Sequence, residues 1–142
     1  MQQRLSLITL AVEDLAVSRR FFEEGLGWTA SSESQEGIAF YQLPGLALAL
    51  YPRAALSRDI GAEIPAGAHS SVTLAWNGAS EAEVDDAYAR ALAAGATPVV
   101  PPEKVFWGGY SSYVRSPDGH LIELAFNPFW TLAADGSLKL PG

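Results

Sequence analysis

The chain has 142 residues, 49% of them hydrophobic and 18% charged, which fits one folded domain with a sizeable core and excludes a disordered polypeptide. Sixteen acidic residues against nine basic ones give a net charge of −7, so nucleic acid and anionic membranes are poor partners. There is no cysteine, which removes disulfides, thiolate metal sites and a cysteine nucleophile.

Residues 5 to 12, LSLITLAV, are apolar and β-branched and predict a buried strand. No small-residue cleavage site follows this run, and no apolar run approaches the roughly 20 residues of a membrane span, so a cytoplasmic protein is expected. Asp14 offers an N-cap for a helix in which Leu15, Ser18, Phe22 and Leu26 recur at helical spacing, until Gly25 and Gly27 stop it. Three short strands are then predicted: WTASSES from 28, GIAFYQL from 37 and LALALYP from 46. Residues 52 to 69 lack periodicity and carry Pro52, Gly61, Pro65 and Gly67, as a linker would.

The same order then returns. SSVTLAW, from 70, predicts a strand, and Ser80 with Glu83 forms a capping-box pair. Val84, Ala87, Tyr88, Ala91 and Leu92 make the apolar stripe of a helix ended by Gly95. TPVV, GYSSYVR and HLIELAF follow, the last two joined by the turn Ser116-Pro117-Asp118-Gly119. The chain thus reads as a β-α-β-β-β unit written twice, over about 5–51 and 70–127, with a linker at 52–69 and a tail at 128–142. Identity between the halves is slight, so the repeat rests on element order.

Alternate side chains of a strand point to opposite faces. Ile8, Leu10 and Val12 oppose Leu7, Thr9 and Ala11; Leu46, Leu48 and Leu50 oppose Ala47, Ala49 and Tyr51. Val72, Leu74 and Trp76 oppose Ser71, Thr73 and Ala75; Ile122, Leu124 and Phe126 oppose Leu121, Glu123 and Ala125. The bulky faces are expected to carry the helices, with Trp76 in the core. The other faces are too small for a dense core and too poor in charge for an ordinary wet surface, so they are expected to line a cavity. On those four strands Glu123 is the sole ionisable group facing the cavity, apart from the Tyr51 phenol.

LITLAVEDLAVSRRFFEEGLGW resembles the opening of the glyoxalase, bleomycin-resistance and extradiol-dioxygenase (vicinal oxygen chelate) superfamily, and VRSPDGHLIEL resembles its closing hairpin. The resemblance implies an α+β fold: two βαβββ modules forming a U-shaped half-barrel sheet, helices on the outer face, around a small-molecule cavity. It also implies closure within one chain or across a homodimer, the expected assembly. Metal-using relatives place a ligand, usually His, where this chain has Leu7, and a second where it has Ser71. Another, typically Glu, comes from the strand in which only Ala47 and Ala49 face inward, and the closing-hairpin glutamate is retained as Glu123. Leucine and alanine cannot coordinate a metal and a neutral serine is a poor ligand, so no family-type metal centre and no cofactor are expected. His69 shares parity with Ser71, but His69 with Glu123 would make a site of only two ligands.

His120 reads as a turn histidine rather than an acid-base group. In Trp107-Gly108-Gly109-Tyr110 the glycines permit a bend or a close backbone approach, and Trp107 either walls the cavity or packs at a bulged edge. By resemblance to the fosfomycin-resistance proteins, Tyr113 is a candidate hydrogen-bonding phenol. Glu123 is either a proton acceptor (or a hydrogen-bond donor to a bound molecule) or an inherited carboxylate satisfied by Thr9, Ser71 or Thr73. Two readings follow. One is a binding protein of the bleomycin-resistance type, its ligand held among Leu7, Thr9, Ser71, Thr73, Trp107, Tyr113 and Glu123. The other is an enzyme: a metal-free isomerase or lyase with Glu123 as catalytic base, or a metal-assisted lyase or dioxygenase that adds His69.

Overall fold

The computed structural model describes residues 2–3, 5–66 and 72–142. The chain is α+β and divides into two compact units, residues 1–67 and 68–142, each a sheet with helix on one face.

In the first unit, β1 (Leu7–Val12) runs parallel to β3 (Leu46–Pro52), and β2 (Ala39–Leu43) pairs antiparallel on the other side of β3. Helix α1 (Leu15–Arg20) continues through one π turn, Phe21–Gly25. Asp14 caps it as the sequence predicts, its Oδ1 accepting from the Ala16 and Val17 amides at 2.9 and 3.2 Å. Parity decides the packing. Ile8 is paired with Leu48, Leu10 with Leu50 and Tyr41 with Leu48, so the bulky side chains share one face. The helix lies on that face: the Phe22 and Tyr41 ring centres are 5.7 Å apart, and Phe21, Phe22, Leu48 and Leu50 are buried. The buried Tyr41 hydroxyl donates to Glu23 (3.1 Å), which also accepts from Arg19 Nε (2.8 Å). Burial first, and then the Glu23 carboxylate, push the Tyr41 phenol far above its ordinary range.

Two expectations fail in this unit. Residues 28–34 are not a strand. Their serines supply the hydrogen bonds that a ladder would otherwise make: Phe40 N donates to Ser34 Oγ (2.9 Å) and Glu33 N to Ser31 Oγ (3.2 Å). The predicted linker carries a helix, α2 (Arg53–Ile60). Good helix formers follow Pro52, whose φ of −53° suits the start, and Gly61 closes the helix at φ +68°. An Arg53–Glu13 ion pair ties its first turn to the end of β1, and Tyr51 donates to Asp59 at 2.9 Å.

The second unit contains β4 (Thr73–Asn77), α3 (Glu81–Ala93), β5 (Thr97–Lys104), β6 (Tyr110–Arg115) and β7 (Leu121–Phe126). Its sheet order is β4-β7-β6-β5, with β4 parallel to β7 and the other pairs antiparallel. Ser80 caps α3 reciprocally: Glu83 N donates to Ser80 Oγ (3.2 Å) and Ala79 N to Glu83 Oε2 (2.8 Å). Helix α3 covers the face of Ser112, Val114 and Leu124, where Tyr110 donates to Asp85 at 2.8 Å. Trp76 shares this parity but is not core. The residue is 39% exposed and its ring lies on Gly78, because β4 is the edge strand farthest from the helix contacts. Strand β5, at the other edge, is longer than the predicted TPVV and contains Pro98, Pro101 and Pro102 with two register shifts. The tail forms a small ribbon of β8 (Thr131–Leu132) and β9 (Leu138–Lys139), closed where Gly136 N donates to Ala133 O at 2.9 Å.

The packing predicts that Leu50→Ala, at a fully buried position, lowers the unfolding free energy by roughly 2–5 kcal/mol in urea titrations. Phe106→Ala, at a fully exposed ring, should stay within about 0.5 kcal/mol of the parent.

Candidate functional site

The turn Ser116–Gly119 fixes the site's register. Ser116 N donates to His120 O (2.9 Å), Gly119 N to Ser116 O (2.8 Å) and His120 N to Ser116 Oγ (3.1 Å). Gly119 adopts φ +89°, which a side chain would resist. The His120 backbone thus closes the hairpin through both its N–H and its carbonyl.

From that turn, Arg115 pairs with Leu121, Tyr113 with Glu123 and Ser111 with Ala125, while Ala75 of β4 pairs with Glu123 from the other side. One face of the second sheet thus carries Thr73, Ala75, Ser111, Tyr113, Arg115 and Glu123, opposite the face that carries α3. Ser111 is buried, Tyr113 and Glu123 are half-buried, and Thr73 is exposed. The buried Ser111 hydroxyl donates to Glu123 Oε1 at 2.8 Å. Burial pushes the Tyr113 phenol up, and the Glu123 carboxylate beside it adds to the shift, while the Ser111 hydroxyl opposes it. The phenol therefore keeps its proton well past neutral pH. A protonated donor and a carboxylate acceptor stand side by side on directly paired residues, where side chains are about 5 Å apart at Cβ.

Among the described residues of the second unit, the hydroxyl that holds Glu123 is that of Ser111, which was not among the expected partners. Ser111 reaches it as the diagonal neighbour across an antiparallel pair. Counting back from the SPDG turn through GYSSYVR is the signal that finds it. That count also brings Arg115 onto the face, so Glu123 is not its sole charge. Ser71 and His69 lie outside the described residues. Trp107 sits in the turn between β5 and β6, closed by Val105 N donating to Gly109 O (3.0 Å), and its ring rests directly on Gly109, leaving no room for a Cβ there. Phe129 packs against Gly108 in the same turn.

In the first unit, Leu7 pairs with Ala47, Thr9 with Ala49 and Ala11 with Tyr51, on the face away from α1. Leu7 and Thr9 are exposed. Leu7, at a position that the resemblance matches to a ligand, and Ala47 and Ala49, on the strand expected to give another, offer no lone pair to a cation. Among the described residues no group of three or more His, Asp or Glu side chains could hold a metal ion. The described residues do not fit the family metal.

Residues 4–124 match the family model of the Glyoxalase/Bleomycin resistance protein/Dioxygenase superfamily. The fold is similar to the crystal structure of a glyoxalase-related enzyme from Fulvimarina pelagi, with a TM-score of 0.93 at 38% identity, covering 99% of this chain and 100% of that one. It is also similar to a glyoxalase/bleomycin resistance protein/dioxygenase from Nocardioides, with a TM-score of 0.74 at 28% identity over 89% of this chain and 84% of that one. A lactoylglutathione lyase from Agrobacterium tumefaciens shares the fold, with a TM-score of 0.68 at 23% identity over 92% and 98% of the two chains. No curated protein gives a significant match. With its two βαβββ-like modules and a family match over most of its length, the chain belongs to the glyoxalase/bleomycin resistance/dioxygenase superfamily.

Proposed function

We propose that the protein binds a small organic molecule on the Tyr113–Glu123 face of its second sheet, without a family-type metal centre. The observation that carries this reading is the pairing of a proton-bearing phenol with a carboxylate anchored by Ser111. A ligand with one acceptor and one donor, such as a carbonyl beside a hydroxyl or amide N–H, matches that pair. Apolar Leu121 and Ala125 and the methyl of Ala75 offer contact for its carbon skeleton. Thr73, on the same face, and Trp107, in the turn that leads into β6, belong to this reading; Leu7 and Thr9 lie on a face of the first unit.

The same geometry supports a second reading, a metal-free isomerase or lyase. In it the Glu123 carboxylate, held by Ser111 through Oε1, accepts a proton from carbon next to a carbonyl, while the Tyr113 phenol donates to the developing oxyanion.

A library of small carbonyl and aromatic compounds, screened by melting temperature, tests both. A ligand at 100 times its Kd stabilises the protein by about 2.7 kcal/mol. Tyr113→Phe should weaken a hit by roughly 0.5–1.5 kcal/mol in calorimetry, and Ser111→Ala should do the same by releasing the carboxylate. Purified protein carrying near-stoichiometric zinc, nickel, manganese or iron would overturn the metal-free site. If Glu123 is a base, Glu123→Gln cuts turnover of the hit by about 10²–10⁴ and leaves its binding nearly intact. Binding lost in Tyr113→Ala, with neither binding nor turnover changed by Glu123→Gln, would move the centre of the site away from Glu123.

A further inference from the structure

Beyond β7 the chain folds back at Asn127, whose Oδ1 accepts from Phe129 N (2.9 Å) and whose carbonyl accepts from Trp130 N (3.2 Å). The returning β8–β9 ribbon leaves a groove of about 260 Å³ against the ends of β4 and β7. Asn77, Gly78, Phe126, Asn127, Trp130 and Leu138 are among its walls, and it shares no residue with the Ser111, Tyr113 and Glu123 set.

Three properties define what would fit. The volume falls just below the roughly 300–1,000 Å³ of sites for drug-sized ligands, so the occupant is a single ring with a short substituent. None of the lining side chains is charged, although the chain carries −7. An ionic ligand would surrender its hydration there without a counter-ion. The walls pair flat aromatic surface, from Phe126 and Trp130, with two side-chain amides: Asn77 offers a donor and an acceptor, and Asn127, whose Oδ1 holds Phe129 N, offers its NH₂ donors. A neutral planar ring bearing a group that both donates and accepts complements this lining.

We propose that the groove between the C-terminal ribbon and the ends of β4 and β7 is a second small-ligand site, for neutral aromatic amides. It stands on its own lining and needs nothing from the Tyr113–Glu123 face.

The test is an NMR titration of the full-length ¹⁵N-labelled protein with benzamide, with benzoate and benzylamine as charged analogues of similar size. Benzamide should shift the Asn77 and Asn127 side-chain amides and the Trp130 indole N–H in a saturable way, with both ions at least about tenfold weaker. Leu138→Trp, at a partly exposed position on the groove wall, should abolish these shifts; Asn77→Ala should weaken them and serves if the larger side chain disturbs the ribbon. The proposal is overturned if benzamide leaves these signals unmoved up to about 10 mM, where even a millimolar Kd would show. It is equally overturned if only the Tyr113 and Glu123 amides respond, or if benzoate or benzylamine binds as well as benzamide.

Discussion

The chemistry of the second sheet depends on a backbone constraint at residues 116–119. A strand has a side-chain period of two, so a slip of one residue between β6 and β7 would send Tyr113 and Glu123 to opposite faces. The Ser116–Gly119 turn prevents that slip with three hydrogen bonds and a glycine at φ +89°. Burial reinforces it from the other side. Val114 and Leu124 fit under α3 only in this register, and the same register sets Ser111 diagonal to Glu123. The polar cluster is a consequence of the apolar one.

That dependence explains which features were legible in the sequence. Caps at Asp14 and Ser80 are local, set by side chains within three residues of the amides they satisfy, and both appear as predicted. Strand parity is almost as local, and it assigned Leu10, Leu48, Leu50 and Leu124 to helix-covered faces correctly. The failures arise where two local tendencies compete. In residues 28–34 the alternation suited a strand, but four serine and threonine hydroxyls compete for the backbone. In residues 53–60 two flanking breakers masked a short run of strong helix formers. Trp76 shows a further limit: parity says which way a side chain points, and only the position of its strand in the sheet says whether anything lies above it.

The site was half legible for a related reason. Glu123 was named from strand parity and Tyr113 from a resemblance, whereas Ser111 follows from pairing, which is a property of two strands together. A half-buried carboxylate costs free energy unless it is partnered. Here a serine hydroxyl from the neighbouring strand supplies the hydrogen bond. An anchored carboxylate beside a neutral phenol is chemically competent without an ion, which is why recognition and proton transfer remain open to the same pair.

The prolines of β5 carry a different implication. An outermost strand presents unpaired amides that can template another chain, and in this eight-residue strand Pro98, Pro101 and Pro102 have no N–H to offer. The two register shifts against β6 further break the regularity that an incoming strand would have to match. On that side the sheet is terminated chemically, so runaway strand addition is blocked there even in a crowded cell or at the high concentrations of overexpression.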